Sequence, residues 1–426
     1  MRDTPAMRAT PSTPGLPVWL TSVLWPGATS SGWSGASGRT DRHRLIAVPD
    51  AAKATQFVPW RASSIAASAR RASDDRPRSR QWKDAAGVLG LLTIGAAKAS
   101  RRVAVSAAVG QAGAAAPSLV DHVAGHLGLD VASAIILCGP PRANQKPILQ
   151  LHDHVGRTLA YVKVAWNPLT AELLRNELTA LTHLAGIEHP EFAAPRVLGN
   201  GQWAEGSWLA IDPVRVGRRR RPDQAQLDRL ALSIQRTSPG WQGPAVDSPF
   251  VRRLVDDAAS LPAGRIAVDR VLHRHGHVPL ILAARHGDFV PWNILSGQPV
   301  CSVWDWERYD QLAPVGSDRI HHRVQVGIQR RGLTFPHAVA GIAAQLGNIV
   351  PELAPDAAQA HLDWYLAEVL VRYEHDAQSN ATPRLLDRIA KLASILEQRA
   401  AAAGAAGPQP APRQPVSPLD PSRRAT

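Results

Sequence analysis

The stretch that most constrains this chain is residues 285–307, RHGDFVPWNILSGQPVCSVWDWE, entered from the apolar run VPLILAA at 278–284. Asp288 and Asn293 fall in a loop after that run. ILSG then turns at Gly297-Gln298-Pro299 and VCSVW returns, which reads as a hairpin. Such a hairpin brings Asp305 back beside the point where Asn293 left. The Asn293 amide and the Asp305 carboxylate then converge as two hard oxygen ligands. With open positions for phosphate oxygens, that donor set suits Mg²⁺. Asp288 faces such a site without belonging to it, where a base accepting a hydroxyl proton stands.

The order H-x-D-x-x-x-x-N, with an aspartate twelve residues after the asparagine, is that of a kinase catalytic loop and its metal-binding aspartate. Here a glycine follows the histidine, Pro-Trp precedes the asparagine, and VWDWE closes the hairpin. In these features HGDFVPWN and VWDWE resemble the aminoglycoside phosphotransferase and choline kinase-like family rather than the protein kinases. The resemblance covers roughly residues 130–395. It implies a protein-kinase-like two-lobed α+β fold: a small antiparallel sheet with one helix, then a larger helical lobe. It also implies transfer of the γ-phosphoryl group of ATP or GTP to a hydroxyl of a small molecule. Asp288 would be the catalytic base, and Asn293 and Asp305 would hold Mg²⁺. By the same resemblance His286 organises the loop, Glu307 braces it or approaches the metal, and Asp318, after Gly316, is structural and anchors the next helix. Trp292 and Trp304 are expected to pack in the core.

A site of this kind needs a lysine on an upstream strand and a carboxylate on the next helix. YVKVAW supplies Lys163, on the face opposite Val162 and Val164. In PLTAELLRNELTALTHLAG the leucines recur at helical spacing, and Asn167-Pro168 starts the helix. Glu177 lies in the leucine stripe, whereas Glu172 lies toward the polar side. An inward carboxylate is costly unless paired, and Lys163 is the partner expected. GPPRANQKP at 139–147 stands where the phosphate-covering loop should be. Gly139, Arg142 and Asn144 are its candidate nucleotide contacts, with Lys146 adding polar reach.

The ordered part is read to begin near Ala132. SAIILCG, ILQLHDH and TLAYVKVAW form a meander, SWLAIDPV is a further strand, and 222–284 and 317–400 are mostly helical. The expected organisation is a disordered segment at 1–42, an accessory Ala/Arg-rich extension at 43–127, a nucleotide-binding lobe at 128–214, a helical catalytic lobe at 215–400 and a disordered tail at 401–426.

Lys and Arg exceed Asp and Glu, 48 to 35, and the net charge of +13 suits a polyanionic ligand such as a nucleotide. The two cysteines, Cys138 and Cys301, are far apart, which offers neither a disulfide framework nor a zinc ribbon and fits a reducing cytoplasm. The proline-rich start does not read as a signal peptide, and AAGVLGLLTIGAA at 85–97 is too short to span a bilayer. Three other signals compete. His273, His275 and His277 alternate as zinc ligands can, without an acidic partner at metallohydrolase spacing. GRRRRP at 217–222 suits a solvated loop or the rim of a substrate cleft, and lacks the aromatic interleaving of a nucleic-acid binder. The scaffold could also be a catalytically idle nucleotide-binding or interaction module. The acceptor is expected to be a sugar or aminoglycoside-like compound, and the basic segment 317–345 favours a neutral or anionic sugar over cationic antibiotics and choline. The oligomeric state is not legible.

Overall fold

The computed structural model describes residues 18–32, 42–48, 54–59, 102–106, 117–139, 142–189, 191–214, 222–296 and 300–405. The first half runs α1 (Val18–Leu24), β1 (Thr29–Gly32), β2 (Arg42–Val48), β3 (Gln56–Pro59), β4 (Arg102–Ser106), α2 (Leu119–Leu127), β5 (Ser133–Leu137), β6 (Ile148–His152), β7 (Thr158–Ala165), α3 (Pro168–Ala185), β8 (Phe192–Ala193), β9 (Val197–Trp203) and β10 (Gly206–Ile211). The second half runs α4 (Gln224–Gln235), β11 (Trp241–Pro244), α5 (Pro249–Ala258), α6 (Pro262–His275), β12 (Pro279–Arg285), β13 (Ile294–Ser296), β14 (Cys301–Val303), a 3₁₀ turn at Trp306–Arg308, β15 (Asp310–Pro314), α7 (Ser317–Arg331), α8 (Phe335–Ala343), α9 (Leu346–Ile349), α10 (Pro355–Ser379) and α11 (Pro383–Ala405).

The fold is α+β, with an antiparallel sheet leading and helices following. The sheet order is β1-β4-β2-β3-β5-β6-β7-β10-β9. Its β5-β6-β7 part is the meander expected from alternation, and β10 pairs with β7 so that Leu209 lies opposite Lys163. The helix after β7 starts as its sequence dictates. The Asn167 side chain accepts the Thr170 N–H at 2.8 Å, and Pro168 occupies the first turn, where no donor is needed. Leu169, Leu173, Leu174, Leu181 and Leu184 bury the stripe.

The second lobe closes around α10. Trp364 and Phe250 meet edge to face at 6.4 Å, and Leu362, Leu366 and Leu370 are completely buried with them. A separate core joins the lobes, with Leu181 and Leu209 from the sheet side packing with Phe289, Ile294 and Trp306. The catalytic-loop candidate is thereby seated in the seam between lobes.

The N-terminal region differs from the expected disordered segment and accessory extension. β2, β3 and β4 extend the same sheet, and β3 pairs with β5 through Gln56–Leu137 and Phe57–Ile136. α1 and α2 bury Leu20, Leu24, Leu119 and Val123 against it. β3 and β4 are short and lie far apart along the chain, so no local period marks them. The final helix also runs past residue 400, to Ala405. Both cysteines are free and buried. No helix among the described residues is long and apolar enough to cross a membrane. GRRRRP apart from Pro222, the hairpin turn at 297–299 and the apolar run at 85–97 lie outside the described residues.

Candidate active site

β7 places the Lys163 side chain on the face covered by α3. Its Nζ donates to both Glu177 oxygens, at 2.7 and 2.6 Å, and to Asp305 Oδ1 at 2.6 Å. Glu177 has no exposed surface and Lys163 almost none. Burial alone would lower the Lys163 ammonium, but Asp305 and then Glu177 outweigh it and hold the group well above its usual range. Burial pushes the Glu177 carboxyl up, with Lys163 opposing. For Asp305, burial is overcome by Lys163 and Lys146, and the carboxyl falls well below the usual carboxylate range. Buried ion pairs persist when both partners are matched and hydrogen-bonded, and this triad is.

β13 and β14 form the expected hairpin arms, with Ile294 opposite Val303. Just beyond them, the Trp304 N–H reaches the Asn293 carbonyl at 3.2 Å. Asp305 follows with φ 71° and ψ 54°, a left-handed backbone that aspartate tolerates better than most residues. The 3₁₀ turn then points Glu307 inward. Glu307 accepts from Asn144 Nδ2 at 3.3 Å and pairs with the Lys146 ammonium. Carboxylate oxygens of Glu177, Asp305 and Glu307 lie within 4.8 Å of one another, a group able to hold a metal ion.

The loop itself is tied at several points. Asp318, at the start of α7, accepts the N–H groups of His286 and Gly287 at 2.7 and 3.0 Å. The Asp288 N–H donates to His286 Nδ1 at 3.2 Å, which leaves the imidazole proton on Nε2, 3.0 Å from the Trp304 carbonyl. Gly287 has φ 80°, and a Cβ there would lie 2.0 Å from the Arg308 carbonyl oxygen. Only glycine allows this approach. Asn293 Nδ2 donates to the Asp288 carbonyl and to Asp288 Oδ2, both at 3.0 Å, so its amide oxygen faces away and can serve a cation. Burial would raise the Asp288 carboxyl, but the adjacent His321 outweighs it and holds the group below the usual carboxylate range.

Lys163, Glu177 and Asp305 therefore meet directly, Asp288 and Asn293 meet directly, and Asn144 joins through Glu307. Arg142 is exposed, yet its charge reaches Asp305. Gly139 stands apart. Its N–H, like that of Cys138, goes to the Thr55 carbonyl of the N-terminal region, at 3.2 and 2.9 Å, and so is committed within the protein. At the far end of the covering loop, Trp166 Nε1 donates to the Gln145 carbonyl at 2.8 Å while its ring stacks on Trp19 at 5.0 Å. Lys146 carried more than the polar reach assigned to it, and its only signal was a lysine near a loop end. Trp292 is 48% exposed rather than packed in the core.

The histidine alternation makes no metal site. His275, in the last turn of α6, bonds Asp363 at 2.9 Å, while His273 and His277 are exposed and do not join it. Two arginines of the basic segment 317–345 have acidic neighbours. Arg319 pairs with Glu352, and Arg323 lies 3.7 Å from Asp228.

No protein-family model matches the chain, and no curated protein does. Among solved structures the chain is similar to aminoglycoside phosphotransferase APH(4)-Ia, at 13% identity and TM-score 0.43, over 67% of this chain and 98% of that one. It is similar to the choline kinase LicA from Streptococcus pneumoniae, at 14% identity and TM-score 0.43, over 66% and 98%. It is also similar to an aminoglycoside-3'-phosphotransferase of type VIII, at 20% identity and TM-score 0.36, over 52% and 88%. These are small-molecule kinases of the family that HGDFVPWN and VWDWE resemble. At such identities the side chains of the site, not the overlay, carry the chemistry.

Proposed function

We propose that the chain is a phosphotransferase that moves the γ-phosphoryl group of ATP or GTP to a hydroxyl of a small molecule. The observation that carries this is the Lys163 ammonium held between Glu177 and Asp305, across the hairpin from Asp288 and Asn293. Phosphoryl transfer asks the protein mainly for positioning and charge stabilisation. Glu177 aims Lys163 at the nucleotide phosphates. Lys146 and Arg142 bring further positive charge from the covering loop. Asp288, ionised at neutral pH, accepts the proton of the attacking hydroxyl, and Asn293 restrains its carboxylate.

The carboxylates of Asp305 and Glu307, which lie together, suit a hard divalent cation, and the Asn293 amide oxygen is the further ligand that the loop's motif calls for. Mg²⁺ bound there with the nucleotide would neutralise charge on the phosphates. Lys163 beside Asp305 keeps that carboxylate ionised for such an ion, and Glu307 is paired with Lys146.

The test is turnover of Mg-ATP or Mg-GTP across a panel of hydroxyl-bearing metabolites. Asp305→Ala is expected to abolish metal-dependent turnover while the fold survives on the Lys163–Glu177 pair. Asp288→Asn is expected to lower turnover by about 10²–10⁴-fold with nucleotide affinity kept. Unchanged turnover in Asp305→Ala would remove the metal role, and equal losses of turnover and affinity in Asp288→Asn would remove the base. Nucleotide binding with no turnover on any acceptor would assign the chain instead as an idle binding module.

A further inference from the structure

Each oxygen of the Asp288 carboxylate faces a different nitrogen. Oδ2 receives Asn293 Nδ2 at 3.0 Å. Oδ1 lies 3.4 Å from Nε2 of His321, a residue 33 positions along, in the first turns of α7. That nitrogen is completely buried and makes no hydrogen bond within normal range. The other ring nitrogen, Nδ1, is 2.9 Å from the hydroxyl of Tyr365 on α10. His321 and Tyr365 are both buried.

A buried ring nitrogen without a partner is costly. Oδ1 of Asp288 stands just beyond the 2.7–3.2 Å at which such an N–H settles. The tautomer follows from the near side of the ring, where Nε2 faces a carboxylate. Burial pushes the Tyr365 phenol up, so its proton stays in place and can be donated to Nδ1. The imidazole proton then resides on Nε2, 3.4 Å from Asp288 Oδ1. The opposite tautomer would set a lone pair against a carboxylate. Asp318 and His321 are three residues apart on α7, hence on one face of it. One helix face therefore grips the loop twice: Asp318 takes its backbone, and His321 meets its carboxylate.

We propose that His321, oriented by Tyr365, is a positioning residue that fixes the plane of the Asp288 carboxylate. It turns the remaining lone pair of that group toward the attacking hydroxyl. The inference rests on the phosphotransferase reading of the site. It gives two histidines different tasks at one loop. His286 orients the backbone of the loop, and His321 orients its acid.

The test uses the full chain and Mg-ATP, with phosphate release to water as the assay. His321→Leu should lower kcat by roughly ten- to a hundredfold, part of what general-base catalysis supplies, with KM for ATP within about twofold. His321→Gln, which retains an N–H donor, should recover part of the loss, and Tyr365→Phe should lose less than His321→Leu. In an Asp288→Asn background His321→Leu should add nothing, because the two residues act as one unit. An undiminished kcat in His321→Leu, or the same fold-loss in the Asp288→Asn background, would overturn the assignment. Full activity in Asp288→Asn would instead sink the reaction itself.

A second readout does not need turnover. In ¹⁵N-histidine-labelled protein, His321 should show a protonated Nε2 and a bare Nδ1, and its Nε2 signal should move on Asp288→Asn. The reverse tautomer, or a signal indifferent to that substitution, would refute the inference even in a chain that hydrolyses nothing.

Discussion

Lys163 Nζ lies 2.6 Å from Asp305 Oδ1, and 142 residues of chain separate the two. That contact joins the sheet lobe to the hairpin of the helical lobe, and Glu177 on α3 completes it from behind. Removing the ammonium leaves two carboxylates facing each other, one of them fully buried. Lys163→Met should therefore destabilise the protein by about 3–5 kcal/mol, the range for breaking a buried pair. Adding Glu177→Leu should restore part of the loss. Urea unfolding of the single and double variants measures this, and additive losses would contradict it.

The covering loop is held at one end by Thr55 and at the other by Trp166 and Trp19. Trp166→Ala removes the bond to Gln145 and the ring stack together. If that loop contacts the nucleotide, affinity for Mg-ATP should fall about fivefold, the effect of one hydrogen bond near 1 kcal/mol, with kcat little changed. Calorimetric titration of the variant checks it. Unaltered affinity would detach the N-terminal region from nucleotide binding.

Gly287→Ala should cost about 3 kcal/mol or more, because its Cβ meets the Arg308 carbonyl at 2.0 Å in a backbone conformation L residues avoid. The loss should appear as a lower melting temperature and as loss of turnover, since the loop must leave the Trp306–Arg308 turn. A variant with wild-type stability would show that the loop is not seated there.

His322 is buried beside Phe289, and burial, with Arg330 nearby, lowers its pKa to about 4 from an ordinary 6.5. A depressed histidine favours folding above its unfolded pKa. That contribution is lost as pH falls from about 6.5 toward 4, because the unfolded chain binds the proton first. The full effect is up to about 3 kcal/mol. Denaturant unfolding at pH 7 and pH 5 should show a smaller acid loss for His322→Gln than for the native chain. Equal losses would exclude His322 as a source.

Much of the site was legible because its parts are local or periodic. Alternation along β7 sets Lys163 apart from Val162 and Val164, and the leucine spacing of α3 places Glu177 inward. The hairpin spacing returns Asp305 to Asn293. β9, VLGNGQW, was missed since its glycines break any apolar alternation, and its residues alternate only between half-buried and exposed. The charge of α7 cannot be read from its own residues for a related reason: Arg319 and Arg323 are matched by Glu352 and Asp228 from distant elements.

By itself the sequence determined the sheet-then-helix order, the catalytic-loop phrase and the lysine and glutamate on consecutive elements, since each is encoded within a few turns or one hairpin. Only the tertiary structure decided that Thr55, just before β3, takes the Gly139 N–H, that Lys146 reaches Glu307 across 161 residues, and that His321 rather than another of the sixteen histidines faces Asp288. Those pairings depend on how separate elements pack around two cores, and no short-range pattern records which side chains such packing will bring face to face.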